Sequence, residues 1–273
     1  MAVADDPASS PPLWAGSIEP HAPLLKQPPD DQVLYKVMSA ENLLRSVSGR
    51  YLHFNRVDSY KDFPGADPHD GAPLPKDIPG NTGAKFVASP DFTVTDYYNQ
   101  SRARTYACSF SLVENSKYIW EKYGGGGKKG KVCVVFSFGK LRSQLNTTFG
   151  NAGLLYKGLA CHQIFAINYG LVEYVDRNTH QGNLDRLPNP IQYTYWKDAC
   201  FKDEKELRIS LSALGMGHFG VDDGSIMEFD KSLQVEFDFR TAIAIGVIQQ
   251  LMSSPDCDSD FVRSELRKFG INS

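Results

Sequence analysis

The sequence has no run of about 18 apolar residues, the minimum for a membrane-crossing helix. Its first residues also lack the charged-then-apolar pattern of a signal segment, so neither membrane insertion nor classical secretion is expected. An unconventional secretion route would leave no mark of this kind. The chain has no C-x-x-C pair either. Its cysteines, at 108, 133, 161, 200 and 257, are odd in number and widely spaced, which indicates neither a disulfide framework nor a spaced zinc site and fits a reducing cytoplasm. A charge excess is missing too: 29 Lys and Arg face 32 Asp and Glu, for a net charge of -3. Such a chain has no overall basic field for non-specific nucleic-acid binding, although a local basic patch remains compatible with these totals. No internal repeat is visible.

What is present suits one large domain or two small ones: 273 residues, 41% of them hydrophobic. Residues 1-30 carry seven of the 16 prolines and read as an extended or disordered leader, with Trp14 and Leu24-Leu25 able to dock locally. The foldable part, 31-273, reads as a single α+β domain with a mixed or antiparallel sheet and a few flanking helices. Strands are expected at Val33 to Val37, Tyr51 to Asn55, Thr105 to Ser111, Val132 to Phe138, Val172 to Val175, Glu206 to Leu211, Leu233 to Phe239 and Ala242 to Ile248. Helices are expected after the Ser39 cap to Gly49, over Ser116 to Tyr123, around Gly153 to Ile167, and from Asp258 to Phe269. Residues 59 to 91, dense in Pro, Gly, Asp and Lys, read as a long surface loop.

The stretch Glu204-Lys205-Glu206-Leu207-Arg208 is the most informative. The alternation of Leu207, Ile209 and Leu211 sets Glu206, Arg208 and Ser210 on the opposite face of a strand, where the charged row either lines a cleft or meets solvent. In the blander reading, Glu204 and Glu206 pair with Lys202, Lys205 and Arg208 along an exposed strand. Trp120 fits a core-facing helical stripe, whereas Tyr123, beside a glycine run, suits either core or site. The run Gly125 to Lys131 superficially matches G-x-x-x-x-G-K. Val132 stands where Ser or Thr would hold magnesium, however, and the run precedes a strand rather than a helix, so a connector with a basic tip is expected. His53 shares a strand face with Tyr51 and Asn55. Cys161 and His162 are adjacent and point apart, so they form no dyad, and Cys161 is read as core. Asp62, Asp67, His69 and Asp70 match no defined cation loop.

Taken in order, Leu34-Tyr35-Lys36, Asn42-Leu43-Leu44, Tyr51-Leu52-His53-Phe54, Asp62-Phe63-Pro64, Cys108-Ser109-Phe110-Ser111, Trp120 with Tyr123, Gly130 to Phe136, Val172-Glu173-Tyr174 and Glu204 to Arg208 resemble the landmarks of a bacterial family known as domain of unknown function 2971. The resemblance spans most of the foldable chain. More distantly, an aromatic-basic strand followed by a Ser-x-Ser strand and a Glu-x-Glu segment is similar to ADP-ribosyltransferase-like domains, which use NAD and have a split sheet. This second resemblance implies that Tyr35 or Lys36 anchors the dinucleotide and that Ser109 and Ser111 support the nicotinamide pocket. Glu206 would then stabilise the ribosyl cation, with Glu204 orienting the acceptor. His53, Tyr123 and Arg208 complete the expected NAD site. A macromolecular acceptor, nucleic acid included, and a setting in bacterial defence, toxin or effector action are compatible with it. The other reading is a non-catalytic nucleotide- or partner-binding regulatory module.

Overall fold

Ser39 makes the first turn of the fold. It ends strand β1 (Val33–Ser39), and its hydroxyl accepts the backbone N–H of Asn42, capping helix α1 (Ala40–Gly49). Arg50, in the left-handed conformation at φ 54°, stops α1 and starts β2 (Tyr51–Arg56). The computed structural model describes residues 19, 22–86, 89–114, 116–125, 127–150, 154–156, 159–160, 165–181, 189–213, 218–220 and 223–272.

After a 3-10 turn at Val57–Asp62 come α2 (Asp77–Gly83), β3 (Lys85–Phe86), β4 (Ser89–Thr93) and α3 (Val94–Arg102). The expected long loop is therefore only partly a loop. Leu74, from within it, joins a satellite cluster with Val94, Tyr98, Val175, Tyr193 and Trp196. The chain continues through β5 (Thr105–Ser111), α4 (Lys117–Lys122), β6 (Lys131–Ser137), α5 (Phe138–Gly150), β7 (Leu154–Tyr156), β8 (Leu159–Ala160), β9 (Phe165–Leu171) and β10 (Glu173–Val175). Then follow α6 (Pro190–Thr194), β11 (Trp196–Asp198), a 3-10 turn at Ala199–Glu204, β12 (Glu206–Ala213), β13 (His218–Gly220), β14 (Ile226–Glu228), β15 (Ser232–Glu236), α7 (Phe239–Ala244), β16 (Ile248–Ser253) and α8 (Ser259–Lys268).

Two expectations are corrected. The helix expected around Gly153 to Ile167 is replaced by β7, β8 and β9; Phe165 to Gly170 are buried on both strand faces, so the apolar run has no polar side to mark its period. The strand expected at Ala242 to Ile248 divides among the end of helix α7, a turn over residues 245–247 and the first residue of β16. Asp238 caps the helix by accepting from the N–H groups of Arg240 and Thr241, and Gly246, at φ 72°, turns the chain into β16. The expected leader docks from Ala22 onward: Ala22–Leu24 form a 3-10 turn, and the Lys26 carbonyl accepts the Leu171 N–H at 2.7 Å.

Ten strands form one sheet. The expected α+β class, with an antiparallel sheet and flanking helices, is the one observed. The sheet branches at β5. One edge of β5 carries β12 along its whole length, from Ser111 opposite Glu206 to Thr105 opposite Ser212, with β9 beyond. The other edge is shared: β1 takes it at Tyr35–Ser111, while β2 takes it at Asn55–Ala107 and Arg56–Tyr106. Strand β1 leads on to β6 and β16, and β2 to β15, β7 and β8. Between the two branches, no described strand pairs with residues 108 to 110 on that edge. The sheet opens there, and α1 spans the gap from the end of β1 to the start of β2.

The main core lies on the face of β5 and β12 that carries Phe110, Leu207, Ile209 and Leu211, against Phe54, Phe136, Val235 and the α5 and α8 residues Leu141, Leu145, Val262 and Leu266. No described helix is long and apolar enough to cross a membrane.

Candidate functional site

The opening between β1 and β2 is a cleft of about 440 Å³, within the range of small-molecule sites. All nine residues singled out from the sequence line it: Tyr35, Lys36, His53, Ser109, Ser111, Tyr123, Glu204, Glu206 and Arg208. Strand alternation brings the β5 and β12 residues there. In register, Glu206 lies opposite Ser111 and Arg208 opposite Ser109, so β12 and β5 turn their polar side chains to the same face. Ser111 also pairs with Tyr35, and one row, Tyr35–Ser111–Glu206, therefore crosses three neighbouring strands.

Around the split, side chains reach backbone carbonyls of β5. Lys36 Nζ donates to the Ser109 carbonyl at 3.0 Å, and its ammonium sits 5.1 Å from the centre of the Phe110 ring. The Tyr60 hydroxyl donates to the Ala107 carbonyl at 3.4 Å. His53 Nε2 is 2.9 Å from Asn55 Oδ1 on the β2 wall. His53 is exposed on the cleft side; desolvation by the walls, opposed by its Asn55 hydrogen bond and aided by the charges of Lys36 and Arg45, shifts its imidazole below its ordinary pKa.

The charged row is buried, not exposed. Arg208 is 1% exposed; its Nη1 and Nη2 donate to Asp70 Oδ1 and Oδ2 at 2.6 and 2.9 Å, and its Nε donates to Glu206 Oε1 at 2.8 Å. Its Nη1 also donates to the Thr194 carbonyl at 2.6 Å. The second Glu206 oxygen accepts from Lys197 Nζ at 3.1 Å, and the Ser109 hydroxyl is a further partner. Burial alone would raise the Glu206 carboxyl, but Arg208 and Lys197 outweigh it and hold the group well below the usual carboxylate range. Burial would likewise lower Lys197, and Glu206, Asp70 and Glu204 reverse the direction, so its ammonium is held above its ordinary value.

Glu204 reaches the cleft by another route. It closes the 3-10 turn at Ala199–Glu204 rather than continuing β12, and Lys205, left-handed at φ 43°, forms the corner between the two carboxylates. Glu204 Oε2 accepts from Lys197 Nζ at 2.5 Å, and Oε1 accepts from Lys122 Nζ at 2.5 Å and from the Tyr123 hydroxyl at 2.6 Å. No family model, curated protein or solved structure matches the chain.

The partners expected for the glutamates were Lys202, Lys205 and Arg208, and only Arg208 is one of them. Lys197 and Lys122 do the rest, and Asp70 pairs with Arg208, each delivered by a different element. Asp70 comes from the segment after Phe63, where Arg102 Nε anchors its carbonyl at 2.6 Å. Lys197 comes from β11, which pairs in parallel with β10. Neither stands in a periodic pattern, so neither left a signal in the sequence. Tyr195, next to β11, packs its ring where Gly170 lies opposite Arg208; a Cβ on Gly170 would meet that ring at 2.7 Å.

Other expectations fall elsewhere. Ile119, not Trp120, takes the buried position of α4. The glycine run is a structural connector: Glu41 Oε1 accepts the N–H groups of Lys128 and Lys129 at 2.7 and 3.0 Å, and Gly130 packs against Cys257. Asp62 pairs with Lys231, and Asp67 accepts the His69 and Asp198 N–H groups. Cys161 and His162 lie outside the described residues.

Proposed function

We propose that this chain is an ADP-ribosyltransferase-type enzyme that breaks the bond between nicotinamide and ribose in NAD, with the opening between β1 and β2 as its site. The row Tyr35–Ser111–Glu206 carries this reading, because it sets side by side, in one cleft, the three strands that the ADP-ribosyltransferase resemblance names. The split in the sheet at β5 also supports an ADP-ribosyltransferase-like architecture.

In this reading, Tyr35 and Lys36 hold the dinucleotide on the β1 wall, with His53 on the β2 wall. Ser109 and Ser111 support the nicotinamide ring, and Tyr123 and Arg208 close the pocket around it. As the C–N bond breaks, its electron pair leaves with nicotinamide and positive charge develops on the ribose. Glu206, ionised and fixed before substrate arrives, faces that charge as a preorganised electrostatic group. The acceptor's oxygen or nitrogen then bonds to the ribose carbon and sheds its proton to solvent. Glu204 orients that acceptor, which is water in a glycohydrolase and a macromolecule in a transferase. Membership of the domain of unknown function 2971 family and a cytoplasmic setting belong to the same proposal.

A second reading is a non-catalytic nucleotide-binding module. One observation favours it: both Glu206 oxygens are occupied by cations, which offset the charge a glycosyl transfer would use. Release of free nicotinamide from NAD, with and without cell lysate, beside the Glu206→Gln variant, separates the two. The enzyme reading expects release that falls by at least about a hundredfold in Glu206→Gln, the scale of a lost electrostatic stabiliser. Equal release by both proteins overturns it, and NAD binding without release moves the assignment to the binding module.

A further inference from the structure

Among the described residues, Lys197 is the one cation that touches both glutamates. Its Nζ lies 2.5 Å from Glu204 Oε2 and 3.1 Å from Glu206 Oε2, with the Phe201 ring centre 5.2 Å away, and its side chain is 7% exposed. The two carboxylates arrive on different elements, Glu204 at the end of a 3-10 turn and Glu206 at the start of β12, and the left-handed Lys205 is the only residue between them. Two like charges placed together in a buried wall repel, and such a pair ordinarily relieves the repulsion by binding a proton.

The inference rests on the proposed NAD-cleaving role of the cleft. We infer that Lys197 is a positioning residue that holds Glu204 and Glu206 together as a doubly charged pair, and that without it the pair shares one proton at neutral pH. A protonated Glu206 would present no charge to a developing ribosyl cation.

The other groups facing the pair do not replace Lys197. Arg208, on β12, contacts Glu206 and divides its charge with Asp70, from the segment after Phe63. Lys122 and Tyr123, from the α4 side, contact Glu204 only. Tyr174, on β10, accepts the Glu206 backbone N–H, Ser109, on β5, is a neutral partner, and Tyr60 stacks near the Arg208 guanidinium. Lys36, on β1, is turned to the Ser109 carbonyl.

The test is a carboxylate titration by NMR of the full chain labelled with carbon-13 at glutamate side chains, assigned with Glu206→Gln. In the native protein, the Glu206 signal is expected to stay flat from pH 5 to 8. In Lys197→Met, a titration step is expected inside that window, because the like-charged pair then binds a proton. Lys197→Arg should return the flat profile, because it restores the charge. In the double variant Lys197→Met, Glu204→Gln, the signal should fall back, because the like charge is gone. A Lys197→Met profile identical to the native one, or a double variant that titrates like the single one, overturns the inference. If Lys197→Met does not fold, Lys197→Arg still decides: a new titration between pH 5 and 8 there overturns it, and a flat profile supports it. The readout needs no NAD, so failure of nicotinamide release in the native protein would be seen separately from failure of this role.

Discussion

Arg208 and Asp70, 138 residues apart in the sequence, meet through two parallel hydrogen bonds of 2.6 and 2.9 Å, and both side chains are almost wholly buried. The planar guanidinium matches the carboxylate fork for fork, the geometry that Lys could not supply. This pair ties the satellite layer that carries Asp70 to the central strand β12, and so sets the rear wall of the cleft.

Breaking the pair leaves a buried guanidinium short of a partner. Asp70→Ala is expected to destabilise the protein by about 3–5 kcal/mol, whereas replacing both partners, as in Asp70→Leu with Arg208→Met, should recover much of the loss. Urea unfolding of the native protein and the two variants measures this. A loss under about 1 kcal/mol for Asp70→Ala would mean that the pair is solvated in solution.

The pH dependence of stability follows from the charged wall. The folded-state pKa of Glu206 is depressed, so the stability it contributes is present above the ordinary value of 4.5 and is lost as pH falls through the depressed value. Lys197 is raised, so its contribution is full below the ordinary 10.5 and is lost only as pH rises through the folded value. Asp70 is held above its ordinary value by burial and acts in the opposite sense, so the Glu206 contribution is read by difference: the native urea midpoint should keep a constant advantage over Glu206→Gln from pH 6 to 9 and lose it below about pH 4.5. An advantage that falls between pH 8 and 6 would contradict the wall as described.

Lys36 stands in for a missing strand at the split. Lys36→Met leaves the Ser109 carbonyl without its charged donor, a hydrogen bond of a kind worth about 1.5–3 kcal/mol. On the proposed NAD-binding role of the cleft, calorimetric titration with NAD should show weaker binding by Lys36→Met than by the native protein, because the β1 wall has lost its cation. Unchanged affinity would remove Lys36 from the binding wall.

The glycine run tests the difference between a connector and a phosphate loop. Gly130 has φ 80°, and a Cβ there would come within 2.5 Å of the Cys257 backbone, while a Cβ on Gly125 would meet nothing within 4 Å. Gly130→Ala should cost at least about 2 kcal/mol from left-handed strain and this clash, and Gly125→Ala should be close to neutral. Thermal unfolding checks both, and equal effects at the two positions would refute the assignment.

Strong local signals made much of the fold legible. The Ser39 cap, the alternation along β5 and β12 and the capped terminal helix were readable because a hydroxyl acceptor, a period of two and an Asp cap act within a few residues. Phe165 to Leu171 were not, because burial on both faces erases the polar half of the period on which a strand is recognised. Ala242 to Ile248 misled for a different reason: the alternation of Ala and Ile imitates a strand, and the deciding contact, the Asp238 cap, lies four residues upstream.

By itself, the sequence determined which residues share a face. Side-chain alternation is a property of the backbone, so Glu206 and Arg208 had to project together from β12, as Ser109 and Ser111 do from β5. Only the tertiary structure decided what that face meets. The branching of the sheet at β5 opened a cleft before it, and Asp70, Lys122 and Lys197, brought from three separate segments, turned a row of charges into a buried, neutralised wall. Those partners are chosen by long-range packing, where the cost of burying an unpaired charge selects the contact. No local spacing along the chain records that choice.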